Sequence, residues 1–103
     1  MILASIDSIP GQNFEVLGMV KGTIVQSKNF GRDFMASLKT LVGGEIAGYT
    51  EMLNEARQIA TKRMVDEAEA LNADAIVGVR YGSFAVMQGA AEVVAYGTAV
   101  KFI

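Results

Sequence analysis

The sequence predicts an α+β fold: a two-layer α/β sandwich in which one long helix, preceded by one short helix, packs on an antiparallel sheet. Three observations carry that prediction. Residues 14–27 alternate with a period of two, residues 45–71 carry an apolar stripe with a period near 3.6, and the C-terminal part returns to two β-branched runs around one turn signal. A chain of 103 residues suits one core, so residues 1–103 are read as a single domain.

Residues 2–5 form a short opening strand, because the Pro10-Gly11 pair behind them is a turn signal. That orphan piece is a candidate for pairing with a neighbouring subunit. The long strand over 14–27 interleaves two sets, Phe14/Val16/Gly18/Val20/Gly22/Ile24 and Leu17/Met19/Lys21/Thr23/Val25. From Phe30 the period becomes helical, with Phe34, Leu38 and Leu41 or Val42 on one face, Met35 beside them, Asn29 as N-cap and Gly43-Gly44 as terminator.

The long helix over 45–71 has the stripe Ile46, Tyr49, Leu53, Ala56, Ala60, Met64, Ala68 and Leu71, on the order of 40 Å of helix. Lys62/Asp66 and Arg63/Glu67 stand at i,i+4 spacing on its outer face. Asn72 is expected to close it in the left-handed region. Strands follow over 75–85 and 92–103, joined by a turn at Gln88-Gly89. The last strand is apolar on both faces, which places it mid-sheet between the long and the penultimate strand.

No second long helix remains for the other face of that sheet. The chain is also 51% hydrophobic and 19% charged, against roughly 25% charged in an average domain. Burial of the surplus face between subunits is the expectation.

Composition removes much chemistry. With no histidine and no cysteine, there is no imidazole base, thiol nucleophile, disulfide or zinc–thiolate cluster. The nine Lys/Arg residues are scattered and the net charge is −2, so no nucleic-acid partner is expected. The first basic residue is Lys21, and the longest uncharged apolar run is residues 93–100. Neither a leader nor a membrane span is expected, and the chain is read as cytoplasmic.

Few polar residues stand out. Glu45, Glu51 and Glu55 lie along the start of the long helix, with Glu51 and Glu55 on one face; they are candidates for a hard cation or a basic partner, set against plain solvation and a favourable helix dipole. Tyr49 and Arg57 are about two turns apart on one side and, with Asp33, make a candidate polar cluster at a subunit boundary. The six methionines show no close spacing and read as core, with a ring that gathers one thioether from each subunit as the alternative. Gly43-Gly44 fits neither nucleotide-loop pattern.

Gly43-Gly44-Glu45-Ile46, Tyr49-Thr50-Glu51, Ala56-Arg57, the run Asn72-Ala73-Asp74-Ala75-Ile76-Val77-Gly78-Val79 and Tyr96-Gly97-Thr98-Ala99-Val100 occur in order. Through these motifs nearly the whole chain resembles the YbjQ-like family, which carries a heavy-metal-binding label; Asp33 stands where that family has an aspartate, and Asn72 where many relatives have glycine. The resemblance implies a dodecin-like subunit assembled as a ring of five with short strands bridging neighbours. Any metal would have to be held without Cys or His.

The combined expectation is a non-enzymatic cytoplasmic homopentamer that binds a heavy-metal ion or small ligand at its subunit interfaces. A cofactor carrier or enzyme with an inter-subunit pocket is the alternative.

Overall fold

The computed structural model of the chain describes residues 1–27, 41–42 and 45–103. Its elements are β1 (Ile2–Leu3), β2 (Phe14–Ser27), β3 (Leu41–Val42), β4 (Glu45–Ile46), α1 (Ala47–Ala70), β5 (Ala75–Met87) and β6 (Ala90–Phe102). Four strands make one sheet in the order β1-β5-β6-β2, and β3 and β4 pair separately. The α+β architecture and the central position of the last strand are as expected.

The sheet is mixed rather than wholly antiparallel, because β1 pairs parallel with β5 of its own chain. The opening strand is therefore not left over for a neighbour. Backbone bonds from Ala4 N–H to Ile76 C=O (2.9 Å), Gly78 N–H to Ile6 C=O (2.9 Å) and Val79 N–H to Ala4 C=O (3.0 Å) carry the N-terminal arm onward along β5. The arm then turns at Pro10-Gly11, where Gln12 N–H bonds Ile9 C=O and Gly11 takes φ 77°. Proline before glycine is the pairing such a turn requires.

The expected short helix lies outside the described residues, including Asn29, Phe34, Met35 and Leu38. Its last positions, Leu41 and Val42, are strand instead, pairing with Ile46 and Glu45. The long helix accordingly starts at Ala47, which removes Ile46 from its stripe and Glu45 from its first turn. No acidic residue occupies that turn, so the helix-dipole account of the glutamates fails.

One row of α1 is packed on the sheet: Ala56, Ala60, Met64 and Ala68 are fully buried at four-residue intervals. They meet Val20 of β2 and Val93, Ala95 and Ala99 of β6, with Ile76 from β5. Small residues on both sides let the backbones come close. A Cβ on Gly22 would overlap the Ala60 carbonyl oxygen and the Met64 amide nitrogen, so that position needs glycine for lack of space. Leu71, expected on the stripe, is past the helix end and 44% exposed.

The helix closes as expected. Asn72 has φ 59°, Asn72 N–H bonds Glu69 C=O, and Ala73 N–H bonds Ala68 C=O, the two bonds of a Schellman motif. Beyond it, the Asp74 carboxylate accepts Phe102 N–H at 2.8 Å and lies 3.4 Å from Lys101 Nζ. The Phe102 amide above all, helped by Lys101 and opposed by burial, holds the Asp74 carboxyl below the ordinary aspartate value.

Lys62 and Asp66 pair at 3.1 Å. Arg63 and Glu67 do not join them as a second such pair. Arg63 Nη1 donates to Thr23 C=O at 2.7 Å, and Glu67 Oε1 accepts Lys21 N–H at 3.3 Å. Both side chains satisfy backbone groups on the outer edge of β2, which a solvent-directed ion pair would leave open.

Candidate functional site

The face of the sheet opposite α1 is where the chain leaves side chains uncovered. Its lower end is closed internally: Ala75, Val77 and Val100 form a second buried cluster under Ile9, Phe14 and Phe102. So the face expected to be covered by subunits is in part covered by the N-terminal arm. Above that, Met19 pairs with Thr98, Lys21 with Tyr96, Thr23 with Val94 and Val25 with Glu92. Met19 is 78% exposed and Tyr96 40%.

A cavity of about 420 Å³ opens at this place, lined by Met19, Val20, Lys21, Glu67, Val94 and Tyr96. Its cross-strand floor is the Lys21–Tyr96 pair. Glu67 reaches it only because that side chain wraps the edge of β2. Apolar walls from Met19 and Val94 stand beside one ammonium, one phenol and one carboxylate, the last accepting Lys21 N–H, a lining that suits a small ligand with an apolar body and a polar group. Nothing here resembles an acid–base pair poised for proton transfer.

The residues singled out from the sequence lie elsewhere. Glu51 and Glu55 do share a face, and both line a smaller hollow of about 200 Å³ with Gln26, Ser27, Gly48 and Met52. Gln26 Oε1 is buried there without a hydrogen-bond partner among the described residues. Arg57 is exposed and donates through Nη1 to Asn54 Oδ1 at 2.6 Å, while Tyr49 is half-buried in the first turn of α1. Asp33 is outside the described residues, and of Glu45 only the backbone, paired with Val42, is described.

Among the described residues the thioethers do not come together as a soft-metal site would need. Met52 and Met64 are core residues. Met1 and Met19 stand at opposite edges of the sheet, and Met87 ends β5 beside the hairpin turn. Among the described residues no three His, Cys, Asp or Glu side chains come together. Oxygen donors from the Gln26/Glu51/Glu55 hollow would suit only a hard cation.

Lys21, Tyr96 and Glu67 were not singled out from the sequence. Lys21 and Tyr96 become neighbours through register, and Glu67 enters through an edge contact. The signal available was the single charge in the set Leu17/Met19/Lys21/Thr23/Val25, which otherwise reads as a buried face.

A family model described as "Putative heavy-metal-binding" matches residues 1–103. A UPF0145 protein of Clostridium novyi is 58% identical over 103 residues, covering 100% of both chains. A UPF0145 protein of Thermotoga maritima is 58% identical, covering 98% of this chain and 96% of its own. Among solved structures, a protein of unknown function of the DUF74 family from Pediococcus pentosaceus aligns with a TM-score of 0.67 at 17% identity, over 100% of this chain and 98% of that one. That likeness concerns the fold alone.

Proposed function

The chain belongs to the YbjQ-like family, and we propose that it acts as a cytoplasmic homo-oligomer, a pentamer, binding a small amphipathic anion in the groove around Lys21 and Tyr96 at its subunit boundaries. The observation that carries this reading is the position of the groove, on the part of the sheet that neither α1 nor the N-terminal arm covers. A partner seated over that face would turn an open groove into an enclosed one. In such a site the desolvated Lys21 ammonium selects negative charge, and the Tyr96 ring supplies flat apolar contact.

The family's heavy-metal description meets a chain with neither thiolate nor imidazole. The small-ligand half of the reading is therefore preferred, and a metal, where one binds, is an oxygen-bound hard cation.

Titration with 8-anilinonaphthalene-1-sulfonate, an apolar anion, tests the groove. Saturable binding is expected, weakened at least tenfold by Lys21→Glu and by Tyr96→Ser with far-UV circular dichroism unchanged. Equal affinity in wild type and both variants would remove the groove as the site.

A further inference from the structure

We propose that Arg80 is a second cationic pole of the groove around Lys21 and Tyr96, and that the ligand taken there is a flat apolar body with a negative group at each end, lying across the strands. The proposal rests on the groove reading above and names the class of its ligand.

Two β-bulges build the row that such a ligand would span. β2 shifts register between Val16 and Gly18, and β5 between Val77 and Arg80. Each irregularity holds a glycine with positive φ, Gly18 at 144° and Gly78 at 62°. One extra residue turns every side chain beyond it to the other face of the sheet. On β2, unbroken alternation from Phe14 and Val16, which lie away from α1, would send Lys21 toward the helix. On β5, alternation from Ala75 and Val77 would do the same to Arg80. With the bulges in place, Lys21 and Arg80 both pair with Tyr96 and share its face. The strands on either side of β6 are thus each irregular by one residue, and each irregularity delivers a cation beside the same tyrosine. Re-aiming a side chain at a site is what bulges are used for.

Neither cation is in an ion pair among the described residues, whose ion pairs join Lys62 to Asp66 and Lys101 to Asp74. Glu67 gives Oε1 to the backbone N–H of Lys21, Asp7 stands by Gly78, and Glu92 lies two rows along, between Val25 and Phe84. Arg80 is exposed yet fixed. Its Nη1 donates to Ser5 C=O at 2.6 Å and to Val79 C=O at 3.0 Å. Those bonds orient the guanidinium and leave Nε and Nη2 for a ligand, since no described residue accepts from them. A planar fork held in this way suits a carboxylate or another oxyanion.

The space between the poles is apolar. Lys21 and Arg80 stand two strand spacings apart, about 10 Å at their backbones, with Tyr96 midway. Gly82, opposite Val94 in the next row, carries no side chain, and Phe84 leans back over it. Two ring carbons of Phe84 come within 3.1 and 3.3 Å of the place a Cβ on Gly82 would occupy. That ring is 58% exposed, so it forms a wall beside the row and does not enter a core. A body reaching from Lys21 to Arg80 lies on the Tyr96 ring with Phe84 at its flank, an arrangement that favours a flat aromatic shape. A ligand with one charged head leaves the Arg80 pole unanswered.

Biphenyl-4,4′-dicarboxylate is a rigid rod of about the length of the row, and biphenyl-4-carboxylate is the same body with one head. Isothermal titration calorimetry would compare the two acids on wild type and Arg80→Gln, with circular dichroism to show that each protein is folded. Wild type is expected to bind the diacid about tenfold or more tighter than the monoacid, the size of one added charge-assisted contact. Arg80→Gln should erase that ratio and leave the monoacid affinity unchanged; Arg80→Met takes its place if it does not fold. Equal affinities on wild type overturn the proposal whatever the variants do. A ratio that survives without Arg80, or two affinities that fall together, means that Arg80 serves only to fix the N-terminal arm, and this also overturns it while leaving the groove. Neither acid bound by a protein that still binds 8-anilinonaphthalene-1-sulfonate overturns the two-headed ligand alone. No binding of any of the three removes the groove and this proposal together.

Discussion

Gly22→Ala is the substitution through which the close contact of helix and sheet is best measured. Gly22 is buried opposite Ala95 and directly beneath α1. An added Cβ would overlap the Ala60 carbonyl oxygen and the Met64 amide nitrogen and stand 2.8 Å from Arg63 Cβ. Two of those three atoms are backbone, so no rotamer change relieves them. The helix would have to rise by on the order of 1 Å to restore ordinary contact, loosening the Ala56/Ala60/Met64/Ala68 row along its length. Overpacking of this sort costs about 3 kcal/mol, the upper end of its usual range. That is a large share of the ~5–15 kcal/mol that holds a domain together, and at ~4–8 °C per kcal/mol it lowers Tm by roughly 12–24 °C. Urea and thermal unfolding at one fixed protomer concentration would read it, since the Tm of any protein that self-associates depends on concentration. Gly97→Ala is the internal comparison. Its Cβ would meet Ile76 Cγ2 at 2.7 Å and Val77 O at 3.0 Å, a milder overlap than the two backbone ones at Gly22, so its loss should be smaller. A Gly22→Ala loss below about 0.5 kcal/mol, or one smaller than that of Gly97→Ala, would refute the close-approach reasoning.

Met64→Ala empties a fully buried position in the same core, and urea unfolding should show a loss of about 2–5 kcal/mol. At Asn72 (φ 59°), Asn72→Gly should leave Tm nearly unchanged, while Asn72→Val should lower stability by ~1–2 kcal/mol because a β-branched residue resists the left-handed region. For Asp74, the folded pKa is depressed, so its contribution is present above the unfolded value of ~3.9 and lost as pH falls through the lower folded value. Denaturation between neutral and acid pH should therefore show a steeper acid loss in wild type than in Asp74→Asn, and parallel curves would contradict the Phe102 amide contact. Calorimetric titration of EDTA-treated protein with Cu(I) and Cd(II) should give no saturable heat; tight soft-metal binding would overturn the reading of the donor set.

What the sequence made legible was whatever depends on local period and local backbone chemistry. The span 14–27 matched β2, but a β-bulge between Val16 and Gly18 swaps the two predicted faces, so that Leu17 packs with Val20 under the helix while Phe14 packs on the opposite side; the Ala56/Ala60/Met64/Ala68 spacing located the packed row of α1 because four-residue steps return to one helix face. Asn72 and Pro10-Gly11 were readable because their φ demands are intrinsic to the residue types. The partners of β1 were not legible: residues 2–5 are too short to specify a register, and the arm is held to β5 by backbone bonds that any sequence could make. Leu41 and Val42 misled because a short apolar pair fits a helix turn and a strand equally well. Arg63 and Glu67 satisfied the i,i+4 rule for an ion pair, yet unpaired groups on the edge of β2 offered them stronger partners. The groove depended on register as well, since Lys21 and Tyr96 lie far apart in sequence and meet only when β2 and β6 pair.

The central claim is that this chain completes its structure and its groove with copies of itself. Native mass spectrometry of the wild-type protein at low micromolar concentration tests it most directly. The account predicts one dominant assembly of five chains that persists on dilution; a stable folded monomer at the same concentration would contradict it.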